Sequence, residues 1–182
     1  ATAGGQLGRI DPSGALTFPL RVAAFGDGRV WSMLEHTAGT FWLGQTGAVS
    51  EVVGDSVVLR LDDQDGIPSG PLRALHFDAD GGLWLASYGG GLARHTAQAG
   101  VRSLSTRQGL FDDALSAIVQ DSSDRLWLLG DLGLAVSPRR ALVAALAEQR
   151  APDQTVVFGP SDSMPEGNGG FPNAWLDQRQ RL

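Results

Sequence analysis

A phenylalanine or leucine followed by tryptophan and leucine occurs three times, at Phe41–Leu43, Leu83–Leu85 and Leu126–Leu128, with the tryptophans 42 and 43 residues apart. A period of that length restricts the chain to repeat architectures, where each unit buries its apolar face only against its neighbours. The register extends well beyond the tryptophan. Upstream of each lies an alternating apolar stretch: Val30 with Met33 and Leu34, Leu72 with Leu75 and Phe77, Leu115 with Ile118. Six residues before the tryptophan stand His36, Asp78 and Asp121, followed by small or polar turn residues such as those of Asp78–Gly82. Downstream, a glycine-bearing turn leads into Val49–Glu51, Leu92–Arg94 or Leu134–Val136.

Short alternating runs separated by turn residues are the pattern of an antiparallel meander. For the second unit the pattern predicts strands at Arg73–Phe77, Leu83–Ser87, Gly91–His95 and Val101–Ser105. Four strands in a period of about 40 to 50 residues make a propeller blade. Helix-pair solenoids have similar periods, but the 25 glycines and the lack of a 3.6-residue rhythm oppose them. The expected fold is therefore all-β: a β-propeller segment of four-stranded antiparallel blades, about three full blades and two half-blades.

Gly5–Phe18 aligns with Gly90–Leu104, which places the start of the chain in the outer two strands of a blade. Ala174–Leu182 aligns with Ala117–Leu126, so the chain is expected to stop before a second strand. A start at Ala1 without methionine fits a processed chain or a piece of a longer one. The expected units of this single partial propeller are 1–25 (partial), 26–66, 67–108, 109–137 and 155–182 (partial). Residues 138–154 interrupt the rhythm with good helix formers and no glycine, which predicts a helix of roughly three turns between Pro138 and Pro152. Its apolar positions are Leu142, Val143, Leu146 and Ala147.

The 182 residues, 42% hydrophobic and 19% charged, suffice for one ordinary core. A formal charge of −6 argues against a nucleic-acid partner, whose phosphates call for a basic surface. All 14 basic residues are arginine, which excludes lysine Schiff bases and Walker-type phosphate loops. The absence of cysteine removes disulfides, thiolate nucleophiles and zinc-thiolate sites. The longest clean apolar stretch, Ala141–Ala147, is far short of the ~20 residues of a membrane helix.

Asp65–His95 and Gly109–Val136 together resemble the two-component regulator propeller repeat, whose pattern is roughly a Gly-Leu-Pro turn, an apolar strand, Asp, a Gly turn, Leu-Trp, then a glycine pair. The resemblance covers nearly the whole chain, and residues 156–182 look like the last blade before the stalk domain of such sensors. His36 in the aspartate place, Ser163 in a glycine place and Gly44–Val49 without a glycine pair depart from the pattern. The resemblance implies a periplasmic, ligand-sensing propeller of a hybrid two-component sensor histidine kinase. The kinase would lie outside this chain, and the full-length sensor would be a dimer. The implied partners are a small-molecule or carbohydrate ligand, and either the remaining blades or a second copy meeting the open blade edges.

Repeat-position tryptophans read as packing between blades, and Asp78 and Asp121 as turn caps. No complete calcium loop is present: the acidic run Leu61–Gly66 reads as surface, and His36, His76 and His95 as structural. No metal and no cofactor are expected. If the strand after each Gly-Leu or Gly-Ile turn is innermost, one face gathers Trp31, Gln45, Arg73, Tyr88 and Asp131, together with neighbours such as Thr46 and Phe111. Arginine and exposed aromatics there suit carbohydrate or carboxylate ligands; ordinary connecting loops are the alternative. An Asp-box sialidase-like glycosidase and a purely structural or protein-interaction propeller also stay open. A sialidase-type site needs a tyrosine paired with glutamate among several arginines. Tyr88 is the sole tyrosine and Glu35 the one glutamate on an inner strand, so no catalytic residues are expected.

Overall fold

Alternation of apolar and polar residues over five or six positions, closed at each end by glycine or an Asp-containing turn, makes every repeat fold back on itself. The structure, a computed structural model, describes residues 7–10, 13, 15–20, 29–54, 56–159 and 162. A two-stranded hairpin, β1 (Leu7–Ile10) and β2 (Leu16–Leu20), comes first. Three four-stranded antiparallel meanders follow. The first holds β3 (Ser32–Thr37), β4 (Thr40–Gly44), β5 (Val49–Val53) and β6 (Ser56–Leu61). In the second are β7 (Leu72–Phe77), β8 (Leu83–Ser87), β9 (Gly91–Thr96) and β10 (Gly100–Leu104). The third consists of β11 (Leu115–Gln120), β12 (Arg125–Gly130), β13 (Gly133–Pro138) and β14 (Val156–Phe158), with helix α1 (Arg139–Glu148) between its last two strands. These are propeller blades, and the four strands expected of the second repeat lie within one residue of those observed.

Two assignments change. Val156–Phe158 pairs antiparallel with Leu134–Val136 of β13, so the segment after the helix completes the third sheet where a further unit was expected to open at residue 155. The physical reason is the unmet edge of β13, which needs a partner for its N–H and C=O groups. The rest of the expected last unit, including Ala174–Leu182, falls outside the described residues. In α1 the buried residues are Leu142, Ala145 and Leu146, with Val143 partly buried against the core, while Ala147 faces solvent. The helix presents a stripe centred one residue earlier in its turn than the apolar pattern indicates.

The sheets pack through their first strands: β3 and β4 lie against β7, and β11 lies against β7 and β8. Trp42, Leu72, Leu83 and Leu85 form the core of the first seam. Trp84, Leu115, Ile118 and Leu126 form the core of the second, which α1 closes with Leu142, Ala145 and Leu146. At ~25 cal/mol per Å² of apolar surface, burial of this kind dominates the stability of each seam.

The link from one sheet to the next is itself repeated. Single 3₁₀ turns at Asp63–Asp65 and Thr106–Gln108 each carry a capping box, Asp62 with Asp65 and Ser105 with Gln108. Each ends on a left-handed glycine, Gly66 at φ 95° and Gly109 at φ 93°, a conformation that costs a side-chain-bearing residue ~1 kcal/mol or more. The acidic run at Leu61–Gly66 thus serves as a cap, with Asp62 Oδ1 accepting from Gln64 N and Asp65 Oδ2 from Asp62 N. Among the described residues no helix is long and apolar enough to cross a membrane.

Candidate functional site

Each β-turn aspartate organises three kinds of donor. Asp78, 5% exposed, accepts at Oδ1 from the backbone of Asp80 and Gly82 at 3.0 and 2.9 Å. Its Oδ2 accepts from Trp84 Nε1 and Arg94 Nε, both at 2.8 Å. Burial pushes the Asp78 pKa up, but the hydrogen bonds from Arg94, Gly82 and Trp84 outweigh it and hold the carboxyl below its ordinary value. Asp121 repeats the arrangement, accepting from Ser123 and Arg125 backbone and, at Oδ2, from Trp127 Nε1 at 2.8 Å and Arg125 Nε at 2.7 Å. Its pKa is lowered in the same way, the bond from Trp127 leading those that overcome burial.

The guanidinium comes from different places in the two sheets. Arg94 reaches from β9, directly opposite Trp84, and passes over Gly82, where a Cβ would run into it. Arg125 takes the position that Gly82 holds in the second sheet, four residues after its aspartate, and the residue opposite Trp127 is Val136. Both guanidinium carbons stand over the indole, at 5.6 Å for Arg94 and 5.5 Å for Arg125.

Arg139, at the start of α1, ties these turns together. It bonds Asp124 through Nε at 2.7 Å and Nη2 at 3.1 Å, contacts Asp80, and lies 3.6 Å from Asp78. Its hydrogen bond to Asp124 is the largest cause of a pKa raised above the ordinary arginine value. These carboxylates and arginines satisfy one another and read as structure.

The other end of the sheets carries the residues singled out in the sequence. Trp31, just before β3, donates Nε1 to Thr46 Oγ1 at 3.0 Å. Arg73 on β7 stands 6.0 Å from the Trp31 ring and 3.8 Å over the Tyr88 ring. Tyr88 OH donates to Asp131 Oδ2 at 2.6 Å. Four of the five residues are thus linked across all three sheets: Trp31 from the first, Arg73 and Tyr88 from the second, Asp131 from the third. The repeat positions them, since Thr46 pairs with Pro71 and Tyr88 with Ala114 in equivalent isolated bridges. Asp112 supports the far side, accepting from Ala114 and Leu132 backbone at 2.8 Å each.

Gln45 does not belong to this group. It is 1% exposed, and its Oε1 accepts from Ser50 Oγ at 3.1 Å and Arg60 Nη1 at 2.8 Å. The extended strand ending at Gly44 turns its next side chain inward, where an amide needs internal partners. Arg29 is the residue that sequence reasoning missed. Its guanidinium lies 4.9 Å from the Trp31 ring, and the signal was the i, i+2 spacing that puts two extended residues on one side.

Two features bear on chemistry. The hydrogen bond to Asp131 raises the Tyr88 pKa and keeps the phenol protonated as the donor of that bond. Arg29 and Arg73 bring two guanidinium groups beside the Trp31 and Tyr88 rings at this end of the sheets.

No protein-family model matches the chain, and no curated protein does. Solved structures do. The extracellular domain assigned to a hybrid two-component system of B. thetaiotaomicron matches with a TM-score of 0.63 and 20% identity, over 83% of this chain and 19% of that one. An extracellular domain assigned to a one-component system of the same organism matches with a TM-score of 0.59 and 21% identity, over 74% of this chain and 19% of that one. This chain spans about a fifth of the length of those structures, and what it shares with them is the fold.

Proposed function

We propose that this chain is part of a periplasmic signal-sensing propeller of a hybrid two-component sensor, not itself an enzyme, whose ligand meets the face bearing Arg29, Trp31, Arg73, Tyr88 and Asp131. The observation that carries the reading is Arg73, whose guanidinium stands 3.8 Å over the Tyr88 ring and 6.0 Å from the Trp31 ring, aromatic groups of different sheets. A bound carboxylate or sugar ring touching it would contact the first and second sheets together, and Asp131 extends the contact to the third. The likeness to extracellular domains of one- and two-component systems supports the sensing role and the periplasmic location. The repeat resemblance supports a downstream kinase beyond this chain and a dimeric full-length sensor.

A small carboxylate or carbohydrate is the ligand class that fits. Titration of neutral and uronic-acid oligosaccharides, followed by tryptophan fluorescence and calorimetry, tests it. Binding that Arg73→Ala weakens at least tenfold supports the reading, and a panel that gives no binding overturns the ligand assignment.

The propeller also calls for neighbours at its open edges. Leu132, Val156 and Val157 are exposed on the third sheet, and Trp127 is only partly covered where Trp84 is fully buried. Remaining blades or a second copy would cover that surface. The glycosidase alternative finds no support in the Tyr88–Asp131 geometry; turnover of a fluorogenic sialoside would revive it.

A further inference from the structure

In the second and third sheets the indole N–H of the repeat tryptophan is taken by the aspartate six residues upstream. In the first sheet that position is His36, whose exposed ring stacks on Phe77 with centroids 3.9 Å apart. Trp42 is nevertheless 5% exposed, and its Nε1–H is buried without a hydrogen-bond partner. Across the seam the His95 ring lies 6.1 Å from the Trp42 ring, and its Nδ1 is likewise buried without a partner. A buried indole N–H almost always finds an acceptor, so two unmet ring nitrogens on facing sheets point to something between them.

We propose that a single water molecule is bound in the seam between the first and second sheets, accepting from Trp42 Nε1–H and donating to His95 Nδ1. It does there what the Asp78 and Asp121 carboxylates do in the other sheets. With Nδ1 as the unprotonated nitrogen of the neutral His95 ring, the occupant accepts one hydrogen and donates another. A carboxylate or halide only accepts, whereas water does both and fits a site bounded by rings. Burial lowers the His95 pKa against the opposing pull of Asp65 and Glu51, which keeps the imidazole neutral and one of its nitrogens an acceptor. The joint is then uncharged, while the next seam is braced by Arg139 with Asp80 and Asp124. This inference is independent of the ligand reading above.

Water-selective cross-relaxation to indole N–H signals of the ¹⁵N-labelled chain tests it, with the Trp42 signal assigned by its loss in Trp42→Phe. The expected result is a cross-peak to a long-lived water at Trp42 that is missing at Trp84, whose donor is occupied by Asp78. His36→Asp, which returns the carboxylate, and His95→Phe, which removes the second anchor, each abolish the peak. A Trp42 signal with no water peak in the parent overturns the proposal. So does a peak that survives both substitutions.

Discussion

Trp84 donates its indole N–H to Asp78 across 2.8 Å inside a seam where the tryptophan itself is fully buried. The same atoms bond Trp127 to Asp121 at the same distance, but with the indole partly exposed. One sequence rule, aspartate six residues before tryptophan, therefore operates in two environments, and the difference is measurable.

Asp78→Ala should cost about 3–5 kcal/mol, because it strips a buried carboxylate from Arg94, Trp84 and two turn amides and leaves a cation without its partner. Asp121→Ala should cost roughly half as much, since Arg125 is half-exposed and water replaces the lost contact. Urea unfolding of the two variants checks the ordering.

Trp84→Ala should destabilise by about 3–5 kcal/mol, the range for deleting a large buried aromatic. Trp127→Ala should cost clearly less. Equal losses in thermal melts would contradict the burial difference between the two tryptophans.

Acid should loosen the fold through these same carboxylates. Their native pKa values lie below the ordinary 3.8, so their contribution is complete above that pH and is lost as pH falls through the lowered native values. Stability measured between pH 6 and 2 should decline mainly below pH 4. Asp78→Asn should flatten that decline, its neutral amide having no proton to gain.

Arg139→Ala should free α1 from the turns it ties, at a cost of about 1–2 kcal/mol, because the arginine is mostly buried while Asp80 and Asp124 are exposed enough to rehydrate. Hydrogen exchange would register it as faster amide exchange across Leu142–Leu146, with β8 unchanged.

The repeat is legible in the sequence: tryptophans 42 and 43 residues apart, period-2 alternation and glycine turns are local signals, and they place the strands of the second sheet to within one residue. Trp31, Arg73, Tyr88 and Asp131 could be assigned to one face for the same reason, since strand direction reverses at each turn and equivalent positions recur in every sheet. What a local pattern lacks is the identity of a partner distant in sequence. Arg94 and Arg125 occupy unrelated positions, yet each covers the aspartate and tryptophan of its own sheet, because one guanidinium arrives across the sheet over Gly82 and the other along the chain from the place that glycine would hold. Val156–Phe158 joined the third sheet because the edge of β13 was open to it, and Gln45 turned inward because Arg60 and Ser50, 15 and 5 residues away, were there to meet its amide. Such pairings depend on distances set only when the sheets close on one another, and hydrogen bonds fall off too steeply with distance and angle for spacing along the chain to specify them.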